Sequence, residues 1–220
     1  MITNLIVAAI CYIIAVLIYK SLHASGENYT TFIVLDTETH ALASDSTDIT
    51  QDLRLVQLTA IKIDQEGTEL ARLSNIVSPQ GFTIRSAATK IHGITMKKAC
   101  QDGISINSIL SDLERLLTET DVLISHNLEF DIGVLKNEFR IQNNDNGLKL
   151  IQQAQHVCTM RETKDLCQIP GRYGYKWPSL SELHEYLFGE EVKVIHNSDD
   201  DAEICLKCFK ELYNTHKVLS

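Results

Sequence analysis

A run of apolar and β-branched residues that ends in two acidic side chains places a strong limit on the fold of this chain. Residues 31–35 read Thr-Phe-Ile-Val-Leu, which is typical of a buried central strand, and Asp36 and Glu38 follow directly. Because successive side chains of a strand point to opposite faces, both carboxylates lie on one side and Thr37 on the other. Buried acids are costly unless a partner compensates their charge. The pattern predicts either a divalent-cation site at this strand end or two solvated acids in the following loop.

The composition excludes several classes of protein. Hydrophobic residues make up 44% of the 220 residues and charged residues 22%, which rules out wholesale disorder and low-complexity architecture. With only 10 glycines and 3 prolines, the chain has little material for a flexible linker, so we expect one compact body. The formal net charge of −9 argues against a broad basic surface. It does not exclude nucleic acid as a substrate, since carboxylates that collect cations also lower the net charge.

The amino terminus has the character of a membrane anchor. Residues 2–19 carry no charge and would extend about 27 Å as a helix, just enough to span a bilayer. We therefore predict one transmembrane helix in residues 1–24, followed by one domain in residues 25–220. Lys20 directly after the span favours a cytosolic position for that domain. The alternative is a signal peptide cleaved near Ala24, although no basic residue precedes the apolar run.

After residue 30, the hydrophobic pattern indicates strands in some segments and helices in others. It predicts strands at residues 31–35, 53–63, 69–77 and 121–125, and helices at residues 105–117, 130–140, 179–188 and 201–213. The sequence Asp64-Gln-Glu-Gly67 predicts a turn between the second and third strands. This order indicates an α/β fold in which helices cover a mixed sheet. In such sheets, functional sites gather at strand ends and helix starts.

Two further acidic motifs stand at such positions. Asp131 lies at the start of a predicted helix that follows a strand, and Asp201 opens the last predicted helix, five residues after His196. On that helix Asp201 shares a stripe with Cys205 and Cys208, so we expect its side chain to point toward the sheet. The same stripe favours a core role over a zinc site for the two cysteines. An inward carboxylate needs a partner, which again indicates a cation site.

The ordered set of motifs resembles the DEDDh family of 3′→5′ exonucleases, which includes proofreading subunits of bacterial replicative polymerases and RNase T. The resemblance covers about residues 32–213 and depends on three segments: Asp36-x-Glu38, Asn127-x-x-Phe130-Asp131 and His196-x4-Asp201. Two other segments are also similar to such domains, Ile91-His-Gly-Ile-Thr95 and Trp177-Pro-Ser-Leu-x-Glu-Leu183. The histidine variant of the family is favoured over its tyrosine variant, because Asn197 stands four residues before Asp201.

The resemblance implies a fold and a reaction. The fold is RNase H-like, with a mixed five-stranded sheet, and the reaction is hydrolysis with two ions of Mg²⁺ or Mn²⁺ that releases nucleoside monophosphates from 3′ ends of DNA or RNA. The implied metal ligands, which are also catalytic, are Asp36, Glu38, Asp131 and Asp201. Asp36 would bridge both ions, and His196 would take the proton from the attacking water, since imidazole titrates near neutrality. Hard oxygen ligands suit both cations.

The resemblance also implies contacts to the 3′ end from Thr37, His40, Leu42 and Asn127. In the family the loop after the first motif commonly reads Thr-Gly where this chain has His40-Ala41. His40 therefore has two interpretations: it contacts the scissile nucleotide, or it is a solvent-facing loop histidine. Leu42 would wedge against the terminal base, and the Asn127 amide would orient a phosphate or a metal-bound water.

Other residues admit both a structural and a functional interpretation. We expect His92 and His126 to be structural, with both ring nitrogens satisfied. Tyr175 and Trp177 would either stack a base or serve as packing residues before the next helix. The basic side chains of residues 161–176 would follow a nucleic-acid backbone, although neighbouring acids dilute their charge.

Three functions are compatible with the sequence. The first is a membrane-tethered 3′→5′ exonuclease that acts on nucleic-acid 3′ ends, single-stranded ones above all, with RNA trimming or oligoribonuclease activity as the alternative. The second is a non-catalytic nucleic-acid or partner-binding module with the same fold, against which the intact set of acids argues. The third is a proofreading subunit that binds a polymerase. The choice between DNA and RNA stays open, because exonucleases of this type contact mainly the 3′ terminus and the phosphates.

Overall fold

The computed structural model describes residues 31–45, 48, 52–194 and 196–219. The strands of its main sheet are β1 (Thr31–Thr39), β2 (Leu55–Asp64), β3 (Glu69–Ile76), β4 (Val122–Ser125) and β5 (Gln155–Cys158). They are arranged in the order β3-β2-β1-β4-β5. Within the described residues the predicted α/β fold, a mixed five-stranded sheet flanked by helices, is confirmed.

The central strand β1 pairs differently with its two neighbours. It is antiparallel to β2, with Asp36 opposite Thr59 and Glu38 opposite Gln57. It is parallel to β4, and this pairing covers only residues 32–34 of β1. The end of β1 therefore extends beyond β4, and the acidic residues lie at the edge of the sheet where both strands finish.

Helices cover both faces of the sheet. They are α1 (Ser86–His92), α2 (Met96–Asp102), α3 (Ile106–Leu117), α4 (Leu128–Ile141), α5 (Asp145–Gln153), α6 (Thr159–Glu162), α7 (Lys164–Cys167), α8 (Leu180–Phe188) and α9 (Ser198–Leu219). A short 3-10 turn occupies Ala43–Asp45, and β6 (Pro170–Gly171) and β7 (Gly174–Tyr175) form a separate small hairpin.

Alternation along β1 divides the hydrophobic core in two. Ile33 and Leu35 pack on one face of the sheet with α3, α4 and α5. Phe32 and Val34 pack on the other face with α8 and α9. The side-chain period of two read from the sequence therefore assigns each residue of β1 to one of two helical layers.

Each of the predicted strands and helices forms, with differences in length. Helix α9 begins at Ser198, three residues before Asp201, and its Cys205 and Cys208 are buried in the core, as predicted. The structure adds short elements that the periodicity did not predict: α1, α2, α5, α6, α7, β5, β6 and β7. These elements have between two and nine residues, too few to establish a hydrophobic period on their own.

The structure bears on the predicted membrane segment only in part. Residues 1–24 lie outside the described residues. None of the helices that the structure describes combines the length and the apolar character needed to cross a bilayer. The domain predicted for residues 25–220 is described from Thr31 onward.

Candidate functional site

The acidic motifs converge in one cleft at the edge of the sheet. The cleft has a volume of about 800 Å³ and lies where β1 and β4 end and where α4 and α9 begin. Its walls include the five residues predicted to carry the chemistry: Asp36, Glu38, Asp131, His196 and Asp201. They come from three distant parts of the chain, so the fold brings them together.

The strand β1 delivers side chains to both sides of the cleft. Asp36 and Glu38 continue the row of side chains that faces α9, the helix that carries Asp201. Thr37 points to the other face, where its hydroxyl donates a hydrogen bond of 2.7 Å to Asp131 of α4. Acidic groups thus approach the end of one strand from both faces of the sheet.

Asp131 is held in one orientation at the start of α4. Its side chain is buried, and its oxygens accept hydrogen bonds from Thr37 and, at 2.6 Å, from the Ser125 hydroxyl. Burial raises the pKa of Asp131 to about 7, although both hydroxyls favour the charged form and oppose this shift. A nearby positive charge would therefore complete the environment of this carboxylate.

Burial and mutual repulsion also raise the pKa values of the two carboxyls on β1. Burial is the largest cause for Glu38, and the charges of Asp201 and Asp131 add to it, so that its pKa rises to about 8. The pKa of Asp36 rises as well, from burial and from the charges of the other three acids. A buried group of acids that repel one another fits divalent cations, since carboxylate oxygens are preferred ligands of Mg²⁺ and Mn²⁺.

The loop before α9 brings an imidazole to these acids. Glu38, His196 and Asp201 each offer a ligand atom, and these atoms lie within 4.8 Å of one another. His196 is exposed and has a φ of 51°, a left-handed conformation that few residues other than glycine adopt. The imidazole is close enough to the acids either to share a cation with them or to accept a proton from a water molecule in the cleft.

Side chains of β2 fix the start of α9. The Gln57 amide donates to Oδ1 of Asn197 at 3.3 Å and accepts from the backbone N–H of Ser198 at 3.4 Å. The hydroxyls of Thr59 and Ser198 are 2.9 Å apart. Because Gln57 stands opposite Glu38 in the sheet, these contacts hold the start of α9 beside the acids of β1.

Three of the four residues predicted to contact substrate lie in the cleft wall: Thr37, Leu42 and Asn127. The Thr37 hydroxyl is engaged by Asp131. Asn127 is exposed at the start of α4, has a φ of 78°, and makes no side-chain capping hydrogen bond to the helix. Leu42 and Asn127 are therefore positioned to meet a ligand, whereas Thr37 supports an acid of the site.

The structure does not bring the fourth residue, His40, into the cleft. Its Nδ1 accepts a hydrogen bond of 3.1 Å from the backbone N–H of Arg54, and its ring packs edge-on against Phe82 with centroids 5.5 Å apart. Burial, together with the charges of Arg85 and Arg54, lowers its pKa. His40 is thus a half-buried residue that joins its loop to the start of β2, rather than a solvent-facing loop histidine.

Two other histidines of the cleft wall are bound by the protein, as predicted. His92 accepts from the backbone N–H of Ile94 through Nδ1, and its Nε2 therefore donates to the Thr39 carbonyl at 3.2 Å. His126 donates through Nε2 to the Pro178 carbonyl at 3.0 Å. Burial lowers the pKa of His126 to about 4, so it is neutral at pH 7.

Sequence reasoning missed two polar groups of the site. Ser125 holds Asp131 and is the last residue of β4, and a hydroxyl at the end of a buried strand, just before an acid motif, is a signal that could have found it. Lys193 lines the cleft from the segment before α9. That segment has no periodic pattern, so nothing in the sequence indicates where the Lys193 side chain lies.

Comparison with known proteins identifies the family. The family model described as RNase_T, Exonuclease, matches residues 33–209 of this chain. The chain is 27% identical over 207 residues to the DNA polymerase III subunit epsilon of Treponema pallidum (strain Nichols), covering 91% of this chain and 84% of that relative. It is 29% identical over 180 residues to the subunit of the same name from Buchnera aphidicola subsp. Schizaphis graminum (strain Sg), covering 80% and 72%.

Solved structures share the fold. Exonuclease I of E. coli in complex with a dT13 oligonucleotide superposes with a TM-score of 0.70 at 20% identity, over 86% of this chain and 42% of that one. The same enzyme with a dA16 oligonucleotide gives a TM-score of 0.68 at 18% identity and the same coverage. This chain thus spans less than half the length of these structures. The family model and the arrangement of the acids agree, and the chain belongs to the RNase_T exonuclease family as a DEDD-type exonuclease of the RNase H-like fold.

Proposed function

We propose that this protein is a metal-dependent 3′→5′ exonuclease that releases nucleoside monophosphates from single-stranded 3′ ends. The observation that carries the proposal is the convergence of Asp36, Glu38, Asp131, Asp201 and His196 in one open cleft. A non-catalytic binding module would not need four acids whose mutual repulsion disfavours their common burial.

The four acids would hold two divalent cations, Mg²⁺ or Mn²⁺. When bound, the ions would neutralise the acids, polarise the phosphodiester and activate water for attack. The hydroxyls of Thr37 and Ser125 keep Asp131 oriented, and Gln57 keeps the start of α9 against β1. The protein thus fixes the positions of the acids before substrate arrives.

His196 would act as the general base. It lies at the exposed edge of the acid group, where a water molecule can reach it, and its imidazole nitrogen lies within 4.8 Å of ligand atoms of Glu38 and Asp201. Its backbone has a left-handed conformation, and such conformations are typical of functional sites.

The substrate that we favour is DNA. The relatives are named as subunits of DNA polymerase III, and the fold neighbours were solved with oligo-dT and oligo-dA. Leu42 and Asn127 in the cleft wall would meet the terminal base and a phosphate. RNA trimming or oligoribonuclease activity is the alternative, since contacts to the 3′ terminus and the phosphates do not by themselves distinguish RNA from DNA.

The test uses oligonucleotides labelled at the 5′ end. With Mg²⁺ or Mn²⁺, a 3′→5′ enzyme produces a ladder of progressively shorter labelled strands, whereas the opposite polarity releases a labelled mononucleotide at once. DNA and RNA of the same sequence are compared side by side. We expect Asp36→Ala, Asp131→Ala and Asp201→Ala each to abolish the ladder while the circular dichroism spectrum stays unchanged. A variant with normal turnover would contradict the assignment.

We further propose that residues 1–24 tether the enzyme to a membrane in a single pass, with the domain facing the cytosol. The support is the uncharged run of residues 2–19, followed by Lys20. Full-length protein should sediment with membranes and resist carbonate extraction, whereas a chain starting at Ser25 should stay in the supernatant and remain active. Protease protection of the domain in sealed inside-out vesicles, or secretion of a chain cleaved near Ala24, would contradict this topology.

A further inference from the structure

Three exposed aromatic side chains project from the small hairpin next to the cleft. Tyr173 is 88% exposed, Trp177 53% and Tyr175 45%. They fall within five consecutive residues, which we call, together with the rest of residues 170–177, the aromatic arm. The sequence allowed for Trp177 as a packing residue, but more than half of its surface is open to solvent. Clustered exposed aromatic groups are typical of interaction sites.

The backbone of the aromatic arm is well defined. Pro170 pairs with Tyr175 and Gly171 with Gly174, so that Arg172 and Tyr173 form the tip of a two-residue turn. Gly174 has a φ of 107°, which residues with a side chain rarely adopt. The geometry of the turn therefore places Tyr173 at the exposed end of the hairpin.

The base of the aromatic arm is fixed to the cleft wall. Lys176 donates to the Glu182 carboxylate of α8 at 2.6 Å, and the backbone N–H of Ser179 donates to the same carboxylate at 2.8 Å. His126, itself in the cleft wall, donates to the Pro178 carbonyl. Tyr175 and Trp177, on either side of Lys176, are each about half exposed to solvent.

Arginine side chains accompany two of the rings. The Arg172 guanidinium lies 5.1 Å from the ring centroid of Tyr173, and that of Arg161, which also pairs with the Glu129 carboxylate, lies 5.8 Å from the ring centroid of Trp177. Aromatic faces stack on bases of any sequence, and arginine attracts the phosphates between them. This combination matches the chemistry of a single nucleic-acid strand.

We propose that the aromatic arm binds the single strand on the 5′ side of the nucleotide held in the cleft. The segment Pro178–Ser181 is both the continuation of the arm and part of the cleft wall, so a strand that leaves the cleft on this side meets the arm next. Bases stack on Tyr173, Tyr175 and Trp177, and Arg172 contacts the backbone. The inference rests on the proposed function, because it takes the ligand of the cleft to be a strand with a 3′ end.

The chain provides its own reporter for this contact. Trp177 is the only tryptophan of the sequence, so tryptophan fluorescence of the full-length protein reports on the arm alone. We would titrate the protein with oligo-dT of about 12 nucleotides, in EDTA to prevent hydrolysis and at low salt. The expected result is saturable quenching of the fluorescence. Tyr173→Ala and Arg172→Ala should each weaken binding about fivefold or more, and Tyr173→Phe should retain the affinity.

A matched control is Leu70→Ala, which removes an equally exposed apolar side chain (53%) from β3 at the opposite edge of the sheet. It should titrate like the wild type. An unchanged Trp177 signal with oligo-dT, or equal affinity of Tyr173→Ala and wild type, would overturn the inference. The titration requires no turnover, so a protein that is quenched but hydrolyses no oligonucleotide with Mg²⁺ or Mn²⁺ would refute the proposed function and leave the arm as a strand-binding surface.

Discussion

The Thr37 hydroxyl lies 2.7 Å from Oδ1 of Asp131 and joins the central strand to helix α4 at the candidate active site. Thr37 alternates with Asp36 and Glu38 along β1, so the strand contributes acids to one face and supports a third acid from the other. The same two-residue period that orders the core thus also orders the site.

Replacing Thr37 by valine should shift the pH dependence of hydrolysis. The hydroxyl favours the charged form of Asp131, so its loss raises the pKa of that buried carboxyl further. At a subsaturating concentration of Mg²⁺, where the cation competes with the proton for Asp131, we expect the acidic limb of the kcat/KM profile to move to higher pH by about one unit, with activity recovering above pH 8. Thr37→Ser keeps the hydroxyl and should follow the wild-type profile. An equal loss at every pH would indicate a substrate contact by Thr37 instead.

The raised pKa values predict how metal-free protein responds to pH. Glu38 and Asp131 have folded-state pKa values of about 8 and about 7, whereas carboxyls of the unfolded chain titrate near pH 4. Between these limits the folded protein binds more protons than the unfolded chain, so its stability falls as pH rises. The melting temperature in EDTA should therefore decrease from pH 5 to pH 8.

Divalent cations should oppose this loss of stability. Mg²⁺ and Mn²⁺ bind the charged acids of the folded protein, so their stabilising effect should grow with pH over the same range. Asp131→Asn removes one of the titrating groups and should show a shallower decline in EDTA. A melting temperature that is constant or rises between pH 5 and pH 8 without metal would contradict the prediction.

How much of this arrangement was predictable depends on the length of each local pattern. The apolar run of residues 31–35 predicted β1, and the strand period of two, continued past its end, was sufficient to place Asp36, Glu38 and Thr37 on their faces. Helices α1 and α2 have seven residues each and pack through Ala88 and Ala99. Such short helices form because tertiary contacts stabilise them, and their sequences contain too few turns to reveal a period.

The position of His40 shows the same limit at the site. Its loop lies next to the acids in sequence, which made a substrate contact a reasonable expectation. The structure shows that the ring is held by the backbone of Arg54 and the ring of Phe82, both of which come from later parts of the chain. Contacts between distant segments cannot be read from a single motif, whereas the acids themselves were found because three motifs occur in a fixed order.

His196→Asn should separate the role of a base from that of a metal ligand. If the imidazole is the base, the single-turnover rate falls on the order of 10²-fold or more, while the affinity for Mn²⁺ measured by calorimetry is unchanged. Because Glu38, His196 and Asp201 lie close enough to share a cation, equal losses of rate and affinity would make His196 a ligand. His156→Asn, at an exposed histidine outside the cleft, is the control and should match the wild type.

The buried ion pair between Arg54 and Glu138 joins helix α4 to the start of β2, and its loss should destabilise the fold. Glu138 is 1% exposed and accepts hydrogen bonds from Nε of Arg54 at 2.9 Å and from the backbone N–H of Leu55 at 2.8 Å. Arg54→Met leaves this carboxylate buried without its cation, and we expect the free energy of unfolding to fall by about 3 kcal/mol or more.

Two further variants test whether burial is the cause of that loss. The exposed pair of Arg85 and Asp45 offers a matched comparison, and Arg85→Met should cost at most about 1 kcal/mol. Adding Glu138→Leu to Arg54→Met removes the stranded charge, so the double variant should lose less stability than the sum of the single ones. Since α4 also carries Asp131, the single Arg54→Met variant should in addition weaken Mn²⁺ binding. Additive losses in urea denaturation would mean that the two side chains stabilise the fold independently.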